Sequence, residues 1–252
     1  MLGLGLAPRT VGHAHRILHK VLAVAVKNAT LARNVVGVHE PPKVEERELE
    51  ILDADQIADV RAKLAGHPLL SIAELALATG ARRGELLGLQ WGDVDLDNAS
   101  LRIARSVEET KAGLRLKETK TKRGRRTLEL PGAAVTMLRA HKVKLMELRL
   151  VLGLGAIRPD TLVFGTVDGG LMSPDNLSRD WGRVSKAKKL PRVSFHALRH
   201  THVSVLISQG IDILTISRRI GHSRASTTLD VYGHLIKGTD KAAADAIAGV
   251  LK

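Results

Sequence analysis

The sequence has no cysteine, a single tyrosine, two phenylalanines and two tryptophans in 252 residues. Without thiols there are no disulfides and no thiolate metal sites. With aromatic residues at 2%, any core must be built from Leu, Ile, Val and Ala, and apolar residues at 44% are enough for one. No apolar run approaches the roughly 18 residues that a membrane span needs. The opening stretch MLGLGLAPRT lacks the charged and long apolar regions of a secretion signal. These absences fit a cytoplasmic protein. What the chain has in excess is positive charge, with 39 Lys and Arg against 26 Asp and Glu, a formal net charge of +13. The expected partner is therefore a polyanion, nucleic acid or an anionic surface.

Residues 10 to 36 place Val11, Ile17, Leu18, Val21, Leu22, Ala25 and Leu31 at helical spacing. Pro41, Pro42 and a run of charges then break the pattern, so residues 38–48 read as a linker. Asp53 followed by Gln56 has the form of a capping box and predicts a new helix. A strongly apolar helix follows, broken at Gly80. From Val94 the period changes to two: LRIARSVEE, GLRLKE and RRTLELP each alternate as half-buried strands do. After Pro131 the pattern is helical to about residue 150, TLVFG reads as a short strand, and helices are predicted over 174–188, 195–209, 212–220 and 224–233. The expected class is mainly α with a small three-stranded antiparallel sheet, an α+β fold.

Two features point to an anionic ligand. The stretch KETKTKRGRR, between the second and third predicted strands, is dense in Lys and Arg around a single Glu. Such side chains on a hairpin tip repel one another unless an anion lies between them. Lys122, Arg123 and Arg125 there, with Arg83, are the candidate phosphate contacts. The second feature is a set of polar residues in otherwise apolar helices. Arg82 follows the break at Gly80, with Glu85 placed to hold its guanidinium. His196 and Arg199 share a helix face at i and i+3. His196 and His200 at i and i+4 have metal-binding spacing, but Ala197 stands where a zinc-protease motif has glutamate, and Arg199 sets a cation beside any metal. His222 follows Gly221 at a helix end, and Tyr232 lies ten residues on. Taken alone, Tyr232 reads as packing.

Taken in order, these segments resemble the tyrosine recombinases, the phage integrase family, over roughly residues 49 to 236. TGARRGELLGLQWGDVD resembles the family's first arginine box and gives Arg82. HALRH resembles the His-x-x-Arg box and gives His196 and Arg199. IGH stands where the family usually has LGH and gives His222. STTLDVYGHL resembles the nucleophile segment and gives Tyr232. The family lysine lies in the hairpin, at Lys120 or Lys122.

The resemblance implies a domain plan. Residues 1–37 match the C-terminal part of a helical core-binding domain, 38–48 a linker, and 49–252 the catalytic domain. It also implies cutting and rejoining of double-stranded DNA through a 3′-phosphotyrosine. In that chemistry Arg82, Arg199 and His222 hold the phosphate, His196 takes the phenolic proton and Lys120 protonates the leaving oxygen. No metal, cofactor, ATP or small-molecule substrate is implied. Further implied are a homotetramer on DNA, joined through the C-terminal segment TDKAAADAIAGVLK, and a nucleoid-associated location in a bacterium or phage-infected cell. A non-catalytic DNA-binding remnant of an integrase is the alternative.

Overall fold

The computed structural model describes residues 5–44, 49–119, 124–236 and 247–248. The chain divides into two compact units, Met1–Glu48 and Leu49–Lys252.

In the first unit, α1 (Pro8–Lys27) begins on a proline, whose fixed φ suits a first helical turn. It ends nine residues before the expected position 36. Ala29 takes a left-handed φ of 57°, Thr30 N–H donates to Ala25 O at 2.8 Å, and Ala29 N–H donates to Val26 O at 3.0 Å. That pair of bonds is a Schellman stop, here without glycine. Periodicity read through it because Leu31 and Val35 continue the apolar spacing. The chain then returns along the helix, with the Asn34 amide donating to His19 O at 2.9 Å.

The second unit opens with α2 (Ala54–Lys63), started by the expected capping box: Gln56 N–H donates to Asp53 at 2.8 Å, and Asp53 N–H to the Gln56 side chain at 3.1 Å. The apolar helix α3 (Leu69–Thr79) buries Leu69, Ile72, Ala73, Leu75 and Ala76. It packs on α5 (Gly132–Val151) and α7 (Ala197–Ser208). Between them run α4 (Arg83–Leu87) and the strands β1 (Val94–Asp95), β2 (Ser100–Ile103), β3 (Arg105–Thr110), β4 (Gly113–Glu118) and β5 (Arg126–Glu129). Then follow α6 (Pro174–Ala187), α8 (Ile213–Ile220) and α9 (Ala225–Tyr232). The four helices expected over 174–233 are present within two residues at each end.

The alternating segments pair antiparallel, but in two pieces. LRIARSVEE is interrupted at Ala104. Its first half, β2, lies between β1 and β5, and its second half, β3, forms a hairpin with β4. The three-stranded sheet therefore exists with a different membership, β1-β2-β5. TLVFG contributes only an isolated bridge, Leu162 to Gln90.

Close approach fixes the position of α4 against β3. A Cβ on Gly84 would meet Val107 O and Ser106 Oγ at 2.6 Å, so only glycine lets the helix sit there. The main core is aliphatic as composition required, with Leu64, Leu75, Leu86, Leu87, Leu101, Leu138 and Leu198 fully buried. Truncating any one to alanine is worth about 2–5 kcal/mol. A smaller cluster of Val203, Ile216, Ile220 and Tyr232 joins α7, α8 and α9. Among the described residues no helix is long and apolar enough to cross a membrane.

Candidate active site

Gly80 ends α3 in the left-handed conformation with φ 62°. Two residues later Arg82 stands at the start of α4. Its backbone N–H and its Nη1 both donate to the Glu85 carboxylate, at 2.9 and 2.8 Å. Its Nη2 donates to Gly221 O at 3.0 Å, which ties the start of α4 to the turn carrying His222. From β5, Arg126 closes on the same carboxylate through Nη2 at 2.9 Å and Nη1 at 3.2 Å, while its Nε donates to Arg219 O at 2.7 Å. Burial alone would raise the Glu85 carboxyl, but the hydrogen bond and charge of Arg126, with those of Arg82, outweigh it and hold the group ionised below its ordinary range.

His196 caps α7, and Arg199 lies in that helix's first turn, buried. Arg199 Nη1 donates to Gly80 O at 2.6 Å. Its Nη2 is buried and has no hydrogen-bond partner among the described residues. A buried cationic donor left unpaired is costly, and an oxyanion is the ligand that would satisfy it. Burial first, then Arg82, lowers the Arg199 pKa to about 10, which leaves it charged at neutral pH.

His222 Nδ1 lies 2.9 Å from Thr228 Oγ1. Tyr232 ends α9 and is 1% exposed in the smaller cluster. Its hydroxyl lies 2.6 Å from His200 Nδ1. Burial pushes the phenol up to about 12, against the opposing field of Arg199.

These groups act on one another electrically. His222 is held down to about 4 by burial first, then by Arg199, Arg82, Arg126 and His196. His196 is likewise held down to about 4, by burial, then His200, Arg199, Arg82 and Arg83. Both imidazoles are neutral at pH 7 in the absence of an anion. The site is a concentration of fixed positive charge with neutral histidines and one phenol at its edge, an arrangement suited to a phosphate.

The structure thus brings Arg82, Glu85, His196, Arg199, His222 and Tyr232 into one region. Lys120, Lys122 and Arg123 lie outside the described residues, as does most of the C-terminal segment. Arg83 is engaged with α6, donating to Ser178 Oγ at 2.6 Å and pairing with Asp175 at 2.9 Å. Arg125 pairs with Glu118 at 2.6 Å on the surface.

Sequence reasoning missed Arg126 and His200. Arg126 was legible from strand alternation, which sets it on the same face as the buried Leu128 and Leu130. His200 follows Arg199 directly, and nothing in its spacing marks it as the partner of Tyr232.

The phage integrase family model matches residues 45–238. The chain is 30% identical over 249 residues to a tyrosine recombinase XerC-like protein of Caldanaerobacter subterraneus subsp. tengcongensis, covering 92% of this chain and 64% of that one. It is 28% identical over 253 residues to the ICEBs1 integrase of Bacillus subtilis, covering all of this chain and 68% of the relative. Among solved structures it is similar to the Tn1549 transposon integrase in complex with transposon right end DNA, at a TM-score of 0.82 and 19% identity over 100% of this chain and 82% of that one. A lambda integrase dimer bound to a core site matches with a TM-score of 0.55 at 22% identity, over 84% and 71% of the two chains. The ordered boxes, the helical fold around a small antiparallel sheet and the family match over 194 of 252 residues (45 to 238) lead to one assignment: the chain belongs to the phage integrase family of tyrosine recombinases.

Proposed function

We propose that this chain cuts and rejoins double-stranded DNA at a specific site through a covalent 3′-phosphotyrosine at Tyr232. The observation that carries the reading is Arg199, whose buried Nη2 has no hydrogen-bond partner among the described residues and lies in a field shared with Arg82, Arg126 and His222. An electrostatic pocket of this kind gains most when its ligand is the charged transition state.

In the proposed reaction the Tyr232 oxygen attacks phosphorus and the bond to the 5′-oxygen breaks. Arg82 and Arg199 hold the non-bridging oxygens with forked donors, and His222 adds a hydrogen bond. The phenolic proton passes to a neutral histidine, and Lys120 gives a proton to the departing 5′-oxygen. The new ester keeps the energy of the old one, so a second strand's 5′-hydroxyl reverses the step without ATP. Arginines supply the charge that a metal would otherwise bring. DNA is the partner, a homotetramer on DNA is the expected working form, and the bacterial and phage relatives fit action on cytoplasmic DNA.

The test uses nicked duplexes tiling the DNA that flanks the coding region. A nick beside the cleavage point lets the short 5′ strand diffuse away and traps the covalent complex. Wild-type protein should be captured on one duplex and Tyr232→Phe on none. DNA binding without capture on any duplex would instead support a non-catalytic remnant.

A further inference from the structure

The reaction needs something to take the phenolic proton, because a buried phenol with a pKa near 12 is a poor nucleophile at neutral pH. The hydrogen-bond partner of the hydroxyl is His200, with Nδ1 at 2.6 Å and ring centroids 5.7 Å apart. His196, one helical turn earlier, stands edge-on to the His200 ring at 4.9 Å.

We propose that His200, through Nδ1, takes the proton of the Tyr232 hydroxyl as that oxygen attacks phosphorus, and returns it when the phosphotyrosine is resolved. The inference rests on the strand-transfer reading above. In the forward step the O–H bond breaks, the P–O bond to Tyr232 forms, the P–O5′ bond breaks with the proton of Lys120 going to the departing 5′-oxygen, and His200 becomes an imidazolium. In rejoining, the incoming 5′-hydroxyl gives its proton back to Lys120 and displaces the tyrosine oxygen, which recovers its proton from Nδ1. His196 is then left in the field of Arg199 and Arg82.

The geometry requires the neutral Nε2–H tautomer of His200, and its surroundings favour the neutral ring. Burial, then the Arg199 charge, lowers its pKa, with Glu50 opposing from the segment before α2. The other charged or titratable groups on the elements packed around it are His196 and His202 of its own helix region, Glu74 of α3, which pairs with Arg61, Arg218 and Arg219 of α8, the latter donating to His202, Asp230 of α9, and His234 in the turn after α9. When an imidazolium forms beside the site, the negative charge of the bound phosphodiester balances it.

Two measurements test this. In the full-length protein without DNA, nitrogen-15 NMR of the imidazoles should show His200 Nδ1 unprotonated at neutral pH and displaced in Tyr232→Phe. A protonated Nδ1 overturns the proposal, and this holds even if no duplex is ever captured, an outcome that would sink the strand-transfer reading alone. On a duplex that captures wild type, His200→Gln should form the covalent complex about 10²- to 10⁴-fold more slowly with DNA affinity within about twofold of wild type. The variant's rate should climb with pH where wild type is flat, because only pre-ionised phenol then reacts. A 5′-bridging phosphorothiolate, whose leaving group needs no proton, should not restore it. Restoration by that substrate, or a wild-type rate and pH profile, overturns the proposal. His200→Ala with a retained thermal transition serves if the Gln variant unfolds.

Discussion

Arg126 and Glu85 form a two-point ion pair inside the protein, with both side chains less than a tenth exposed, and Glu85 in turn fixes Arg82. The pair turns one strand residue and one helix residue into the backing of the proposed phosphate site.

Removing Glu85 leaves Arg126 buried without its counter-charge. Glu85→Ala should cost about 3–5 kcal/mol by chemical denaturation and abolish covalent capture. The double replacement Glu85→Met with Arg126→Met should recover much of that stability and none of the capture. Losses that simply add in the double variant would sink the idea that the two act as a pair.

Arg199→Ala separates binding from chemistry. In the proposed reaction its guanidinium is one contact among many to DNA but a principal donor to the scissile phosphate. Capture should fall by about 10²- to 10³-fold, with a modest loss of affinity in a gel-shift titration. Equal losses in both would make Arg199 a binding residue only.

Acid should destabilise the free protein through His202. This ring donates from Nδ1 to Leu77 O at 2.7 Å and accepts at Nε2 from Arg219 Nε at 3.2 Å, so it has no place for a second proton. Burial first, with the charges of Arg219 and Arg199, lowers it from 6.5 to about 4 against the Leu77 hydrogen bond. The unfolded chain binds the proton below pH 6.5 and the folded chain only near 4. Stability is therefore full above 6.5 and falls as pH drops through that window, by at most about 1.4 kcal/mol per unit for this group. Urea melts across the window should show the slope, and His202→Gln should flatten it. An unchanged slope in the variant would assign the effect elsewhere, His196 and His222 having the same sign.

Gly80 is required twice, by its φ of 62° and by the 2.6 Å that a Cβ would leave to His202 Cδ2. Gly80→Ala should cost about 1–3 kcal/mol in thermal or urea unfolding. It should also slow capture, because the Gly80 carbonyl is the acceptor that orients Arg199. Full stability with full capture would contradict both roles.

The sequence made the helices of the second unit legible because their boundaries are written in local chemistry: the Asp53–Gln56 box, Ser173 before Pro174, and Asp212 before α8. The boxes around Arg82, His196, Arg199, His222 and Tyr232 were legible as ordered motifs. Two things were not. The split of LRIARSVEE into two sheets depends on pairing partners, since alternation is the same whichever neighbour a strand finds. The His200–Tyr232 contact spans 32 residues and two helices, and is decided by how α9 packs on α7. The stop of α1 at Lys27 was hidden because alanine carries no sign of the left-handed position it occupies.

The bond from Arg82 to the Gly221 carbonyl crosses 139 residues, and that from Arg199 to Gly80 crosses 119. A chain emerging from the ribosome folds from its N-terminal side, so it makes Arg82 and Arg126 long before it makes the turn that Arg82 must grasp. Tyr232 follows that turn. An unfinished copy therefore carries Arg82 and Arg126 but lacks Tyr232, the proposed nucleophile. On the proposed mechanism, the order of the residues along the chain puts the attacking group last, after both arginines and the turn that Arg82 grasps.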